Sequence, residues 1–157
     1  FTWLCHYVLG LTIGAAAAGG WIAVTGSFAP TAYALWAGVG LWIAGFDILY
    51  ATQDYTFDRA HGVKSIPARF GIPQALRVAR ASHLLAWLAF LWAGVSYGAG
   101  PLYYLGLLLV GGLLLLEHRL VSPEDLSKVE VAFFQANVGV SLGMFLFIVL
   151  DLLARGA

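Results

Sequence analysis

Residues 3–51 read WLCHYVLGLTIGAAAAGGWIAVTGSFAPTAYALWAGVGLWIAGFDILYA, and this stretch decides the fold class. It holds no Asp, Glu, Lys or Arg before Asp47. The short connection Gly26-Ser27-Phe28-Ala29-Pro30 divides it into two apolar runs, near 3–25 and 30–51. About 20 residues of helix cross a ~30 Å hydrocarbon layer, so each run is a predicted membrane span. Gly10, Gly14, Gly19, Gly20, Gly38, Gly40 and Gly45 recur within them. Small residues let helix backbones approach closely in lipid, which makes packing their expected role.

Three further runs of spanning length follow, near 75–97, 101–121 and 131–153. Gly98-Ala99-Gly100-Pro101 is a tight connection between the third and fourth. Ser122-Pro123-Glu124-Asp125 carries a stop signal and a helix start, with Ser122 or Asp125 available as an N-cap. Across its 157 residues the chain is 61% hydrophobic and 10% charged, with a mean hydropathy of +0.86. Soluble domains carry about 25% charged residues. A domain of this size also leaves roughly 30% of its chain surface exposed, so the solvent for much of this exterior is lipid. The predicted fold class is all-α, a polytopic transmembrane helical bundle in one membrane domain, 1–157, without repeats or a soluble second domain.

The formal net charge of zero gives no basis for binding nucleic acid, and the single cysteine, Cys5, cannot form an internal disulfide. No basic n-region marks a cleaved signal peptide. The chain opens on Phe1, almost directly in a span, so a further N-terminal part is expected to precede it. Arg59, Lys64, Arg69, Arg77 and Arg80 lie between spans two and three; Arg119 and Lys128 lie between spans four and five. Only Arg155 falls on the opposite side. The positive-inside rule places the two basic connections, including the segment 52–74, in the cytoplasm.

Half of the sixteen formally charged residues fall between Asp47 and Arg80. Asp47, Asp54 and Asp58 come first, spaced seven and then four apart, which on one continuous helix puts them on a common face together with Tyr50. Like charges at that spacing repel, so something cationic must compensate. One source is Arg59 or Lys64, pairing with the carboxylates. The other is a hard divalent cation: Mg²⁺ prefers oxygen ligands and is held by one or two carboxylates together with substrate phosphates. Asp47 lies deepest, and an acid within a membrane span is by default a candidate for function.

Residues 46–71, FDILYATQDYTFDRAHGVKSIPARFG, follow the pattern DxxYAxxDxxxDxxxGxKS. This segment resembles the second aspartate-rich motif of the UbiA-type membrane prenyltransferases, and its ending SIPARFG looks most like the 4-hydroxybenzoate polyprenyltransferase branch. The resemblance implies nine transmembrane helices around a cavity, in which two aspartate-rich segments bind a diphosphate through Mg²⁺. It implies that Asp54 and Asp58 are metal ligands and that Asp47 belongs to the same catalytic group. Tyr50, Arg59 and Lys64 match further motif positions and would bind substrate, the two cations offsetting diphosphate charge. The family's first motif, NxxxDxxxD, is absent and five spans stand where nine are expected. Four are therefore expected upstream, and the isolated fragment is expected to be inactive.

The implied reaction is Mg²⁺-dependent transfer of a polyprenyl group from polyprenyl diphosphate to an aromatic acid, 4-hydroxybenzoate, in ubiquinone or related quinone biosynthesis. The implied location is the inner (cytoplasmic) membrane. Another family acceptor (a naphthoate, a haem or a chlorophyll precursor) is the alternative, as is a transporter fragment whose carboxylates bind a coupling ion. Clustering of the charges at one membrane face rather than at the midplane argues against transport. Trp42, Phe46, Tyr50 and Phe57 are candidates for stabilising an allylic cation through their ring faces, with packing as the plainer role of each. His6 and His83 are expected to be hydrogen-bonded packing residues without an obvious partner. Glu117, His118 and Arg119 are expected to be solvated anchors at a helix end, and Gln135 and Asn137 to hydrogen-bond between helices.

Overall fold

The computed structural model describes residues 2–156, and every regular element among them is helical. The order is α1 (Cys5–Thr25), α2 (Pro30–Tyr50), α3 (Tyr55–His61), α4 (Ile66–Phe70), α5 (Ile72–Tyr97), α6 (Pro101–Leu120) and α7 (Val129–Arg155). Five of these, α1, α2, α5, α6 and α7, are long and apolar enough to cross a membrane. Proline occupies the first turn of α2, α4, α5 and α6, where its missing N–H would be unpaired in any case and its fixed φ suits the helix.

The long helices alternate in direction, so the turns at 26–29 and 98–100 share one end of the bundle. The other end gathers Cys5, His6, the whole of 47–71 and the 121–128 connection. Helix α2 is the hub, packed on α1 and α5, while α6 pairs with α7 and touches α5. The α1–α2 crossing depends on missing side chains: a Cβ on Gly14 would stand 2.6 Å from the Trp36 carbonyl oxygen, and one on Gly10 would collide with the Gly40 carbonyl. Polar pairs add to this packing: Tyr7 Oη on α1 meets Ser82 Oγ on α5 at 2.8 Å, and Thr31 Oγ1 on α2 meets Ser96 Oγ on α5 at 2.9 Å. Ile48, Leu49, Ile66, Leu76, Val121 and Val129 form a buried cluster that fixes the motif end. Outward-facing Val24, Phe145 and Leu153 are 88%, 67% and 69% exposed, the pattern of a surface solvated by hydrocarbon rather than water. The chain is an integral membrane protein.

Three sequence expectations change. The segment 52–74 is not one loop: it contains α3 and α4, and α5 already begins at Ile72. The common face from Asp47 to Asp58 is interrupted, because α2 ends at Tyr50 and the N–H groups of Thr52, Gln53, Asp54 and Tyr55 bond to carbonyls three residues back. Ser122 and Asp125 cap no helix, since α7 begins at Val129 behind Lys128 without a side-chain cap. Instead the Asp125 N–H donates to Ser122 Oγ at 3.1 Å, and Asp125 accepts from the Ser127 N–H and hydroxyl at 3.0 and 2.6 Å. Those two bonds hold the Asp125 carboxyl below its ordinary range.

Helix α6 has no side-chain cap of its own. Asp151 of α7 supplies one across the bundle, accepting from the Gly100 N–H at 2.8 Å and the Tyr103 N–H at 3.3 Å, with Arg155 at 3.6 Å. Losing a cap costs about 1–2 kcal/mol. Asp151→Ala is therefore expected to lower the thermal midpoint of the detergent-solubilised protein, and Asp151→Asn, which keeps an acceptor, to restore part of it.

Candidate functional site

The aspartate-bearing segment is built by α2, α3, α4 and the start of α1. Asp47 sits one turn before the end of α2, half-buried, with its Oδ2 2.7 Å from His6 Nδ1 on α1. The backbone N–H of Ile66 lies 3.3 Å from His6 Nε2 and can only donate. The ring proton therefore resides on Nδ1 and is donated to Asp47. One buried imidazole thus joins α1, α2 and the first residue of α4. The partner that sequence reading did not find for His6 is Asp47.

Asp54 is the residue before α3; it is exposed, makes no capping bond and has no ion-pair partner among the described residues. One turn later Asp58 is buried, its Oδ2 accepting from Ser65 Oγ at 2.7 Å. The Ser65 hydroxyl also accepts from the Ala68 N–H at 3.2 Å and so caps α4. Gly62, at φ 68°, ends α3 in the left-handed conformation that costs a Cβ-bearing residue strain. It turns the chain so that Ser65 folds back onto Asp58. Asp54 is exposed at this end of the bundle, while Asp58 lies buried one turn further on.

Arg59 does not neutralise these acids. Its Nη1 donates to Tyr55 Oη at 2.8 Å, and its guanidinium lies 5.6 Å from the centroid of that ring. Lys64 is exposed on the 62–65 segment, and its carbonyl accepts from the Cys5 thiol at 3.4 Å. Tyr50 is 40% exposed, its ring 4.8 Å from Phe133. Of the other aromatic candidates, Phe46 is sealed between His83 and Phe133, Trp42 packs edge-on against Phe46, and Phe57 stacks on His61 on the outside of α3. Gln135 is exposed and Asn137 half-buried on α7.

Two carboxylates one turn apart, Asp54 and Asp58, offer hard oxygen donors that suit Mg²⁺ completed by phosphate oxygens. The three aspartates do not converge as one ligand trio. Among the described residues, the group of three metal-competent side chains that does converge is His83, Glu117 and His118. Two expectations are corrected there: His83 has partners, and Glu117 is 1% exposed rather than solvated.

The all-helical membrane bundle agrees with the comparisons to known proteins. Residues 1–148 match the model of the UbiA prenyltransferase family, and the chain belongs to that family. Among curated relatives, the 4-hydroxybenzoate octaprenyltransferase of Methylococcus capsulatus is 34% identical over 92% of this chain and 50% of its own length. That of Pseudomonas fluorescens is 30% identical over 99% and 52%. The solved apo structure of a UbiA homolog from Aeropyrum pernix superposes with a TM-score of 0.82 at 30% identity, covering 97% of this chain and 57% of the homolog. The chain spans about half the length of the curated relatives it matches.

Proposed function

We propose that this chain supplies one side of the active site of a Mg²⁺-dependent prenyltransferase that moves a polyprenyl group from its diphosphate to 4-hydroxybenzoate, a step of ubiquinone-type quinone biosynthesis. The observation that carries this reading is the pair Asp54 and Asp58 one turn apart, with Ser65 orienting Asp58 and Arg59 turned to Tyr55 rather than to either acid. The Lys and Arg residues gathered in the connections at this end support a cytoplasmic face for it, in the cytoplasmic membrane.

Asp54 and Asp58 would hold Mg²⁺ against the diphosphate. When bound, the ion acts as a Lewis acid that stabilises negative charge on the leaving group. Arg59 and Lys64 offset further diphosphate charge, and Tyr50 presents its exposed ring beside the substrate. Asp47, fixed by His6, holds an acceptor oxygen at the inner edge of the segment. The allylic C–O bond breaks, diphosphate departs with the electron pair, and the ring carbon ortho to the acceptor hydroxyl forms the new C–C bond and then loses its proton. The relatives' names support 4-hydroxybenzoate as acceptor.

The test is prenyl transfer in membranes carrying the full-length protein, with labelled 4-hydroxybenzoate and a polyprenyl diphosphate, with and without Mg²⁺. Magnesium-dependent product is expected. Product with a naphthoate instead would move the acceptor, and no transfer to any aromatic ring would overturn the reading.

A further inference from the structure

His83 on α5 meets Glu117 and His118 at the end of α6, and this cluster shares no residue with the aspartate-bearing segment. One ligand atom from each of the three lies within 4.8 Å of the others. His83 Nδ1 is 2.9 Å from His118 Nε2 and 3.5 Å from Glu117 Oε2. The Glu117 side chain is fully buried, and neither of its oxygens has a hydrogen-bond partner. Burying a carboxylate without hydrogen bonds or a counter-charge is costly. The nearby cations do not relieve it: Arg80 donates to the His118 carbonyl at 3.4 Å, and Arg119 lines the adjacent groove.

The seat of His83 is built for one orientation. Its Nε2 lies 3.2 Å from the Trp42 carbonyl oxygen, which can only accept, so Nε2 carries the proton and Nδ1 turns its lone pair toward His118 and Glu117. Gly45 makes room for the ring, since a Cβ there would run into His83 Cδ2 and Nε2. His118 Nε2 can donate to that lone pair, but the Glu117 carboxylate beside it gains no donor, so a proton or a metal ion is needed there. Two imidazoles and one carboxylate are the donor set of a borderline divalent metal, with a fourth position left open. A backbone carbonyl on the remote ring nitrogen is the usual outer support of such a ligand. Bonds of about 2.0–2.1 Å in tetrahedral geometry put ligand atoms about 3.3 Å apart, between the two separations measured here. Nitrogen donors also separate this set from the oxygen-only preference of Mg²⁺.

We propose that His83, Glu117 and His118 bind Zn²⁺ and staple α5 to α6. His83 and His118 border a groove of about 870 Å³ lined also by Arg80, Leu84, Leu108, Leu115 and Arg119. Nothing in the proposed transfer reaction requires this ion, and the site stands whether or not that reading holds.

The experiment uses the full-length protein purified in detergent without a polyhistidine tag, dialysed against buffered Zn²⁺ and assayed for bound metal. About one Zn²⁺ per chain is expected in the wild type and equally in Asp54→Ala. Glu117→Gln, nearly isosteric, and His118→Ala are expected to weaken binding at least as much as loss of an outer-shell support does, about 10–100-fold. Gly45→Ala, which displaces the ring, is expected to weaken it about 10-fold. The Co²⁺-loaded wild type should show the strong visible absorption of a four-coordinate site, a readout that needs no variant to fold. Absence of stoichiometric Zn²⁺, a weak six-coordinate Co²⁺ spectrum, or affinity unchanged in folded Glu117→Gln and His118→Ala would each overturn the proposal.

Discussion

Asp54→Ala in the full-length protein is expected to reduce Mg²⁺-dependent prenyl transfer by about 10²–10³-fold, the usual loss when a group aimed at developing transition-state charge is removed. Protein level and thermal midpoint should hardly change. Asp54 is exposed, caps nothing with its side chain and pairs with no cation among the described residues, so the fold loses nothing with it. Asp58→Ala is a less clean variant, because it also removes the acceptor of the Ser65 hydroxyl that starts α4. The assay is initial rate against Mg²⁺ concentration in membranes. Wild-type rates in Asp54→Ala would remove this residue from the metal site.

His6→Ala is expected to cost about 1.5–3 kcal/mol of stability, the worth of a hydrogen bond to a charged group. It is also expected to raise the Mg²⁺ concentration needed for half-maximal rate. His6 holds Asp47 at 2.7 Å and receives the Ile66 N–H at 3.3 Å. Its loss frees the Asp47 carboxylate and leaves a buried backbone donor without a partner just after Ser65, which orients Asp58. A purely structural role would lower the thermal midpoint alone. The shift in metal dependence, measured well below that midpoint, separates positioning from packing. His6→Asn, which can still donate to Asp47, should recover part of both effects.

The five spans were readable without any structure because lipid demands long uncharged runs, and Trp3 to Ala51 contains one charged residue. Asp54, Asp58, Arg59 and Lys64 stand out in the sequence for a related reason: charge concentrated at one end of apolar helices must meet water, ions or substrate. The error over the 47–58 face came from assuming one continuous helix. Thr52, 1% exposed, bonds its hydroxyl to the Leu49 carbonyl at 2.6 Å, a side-chain competitor for helical bonding. The tight turns that follow separate α3 from α2. Spacing along the chain carries no sign of this.

By itself, the sequence determined that the chain lives in lipid, where its five long helices begin and end to within a few residues, and which segment gathers the charges. Hydrophobicity, prolines and charge act locally, so these properties are written in neighbouring residues. Only the tertiary structure decided that His6 serves Asp47 across 41 positions, that Asp151 caps α6 across 51, and that His83 meets His118 across 35. Partners so far apart are chosen by how helices cross, and the crossings depend on absent side chains at Gly10, Gly14 and Gly45. A buried polar group must find its partner in the fold, so its role becomes legible only when the helices are packed.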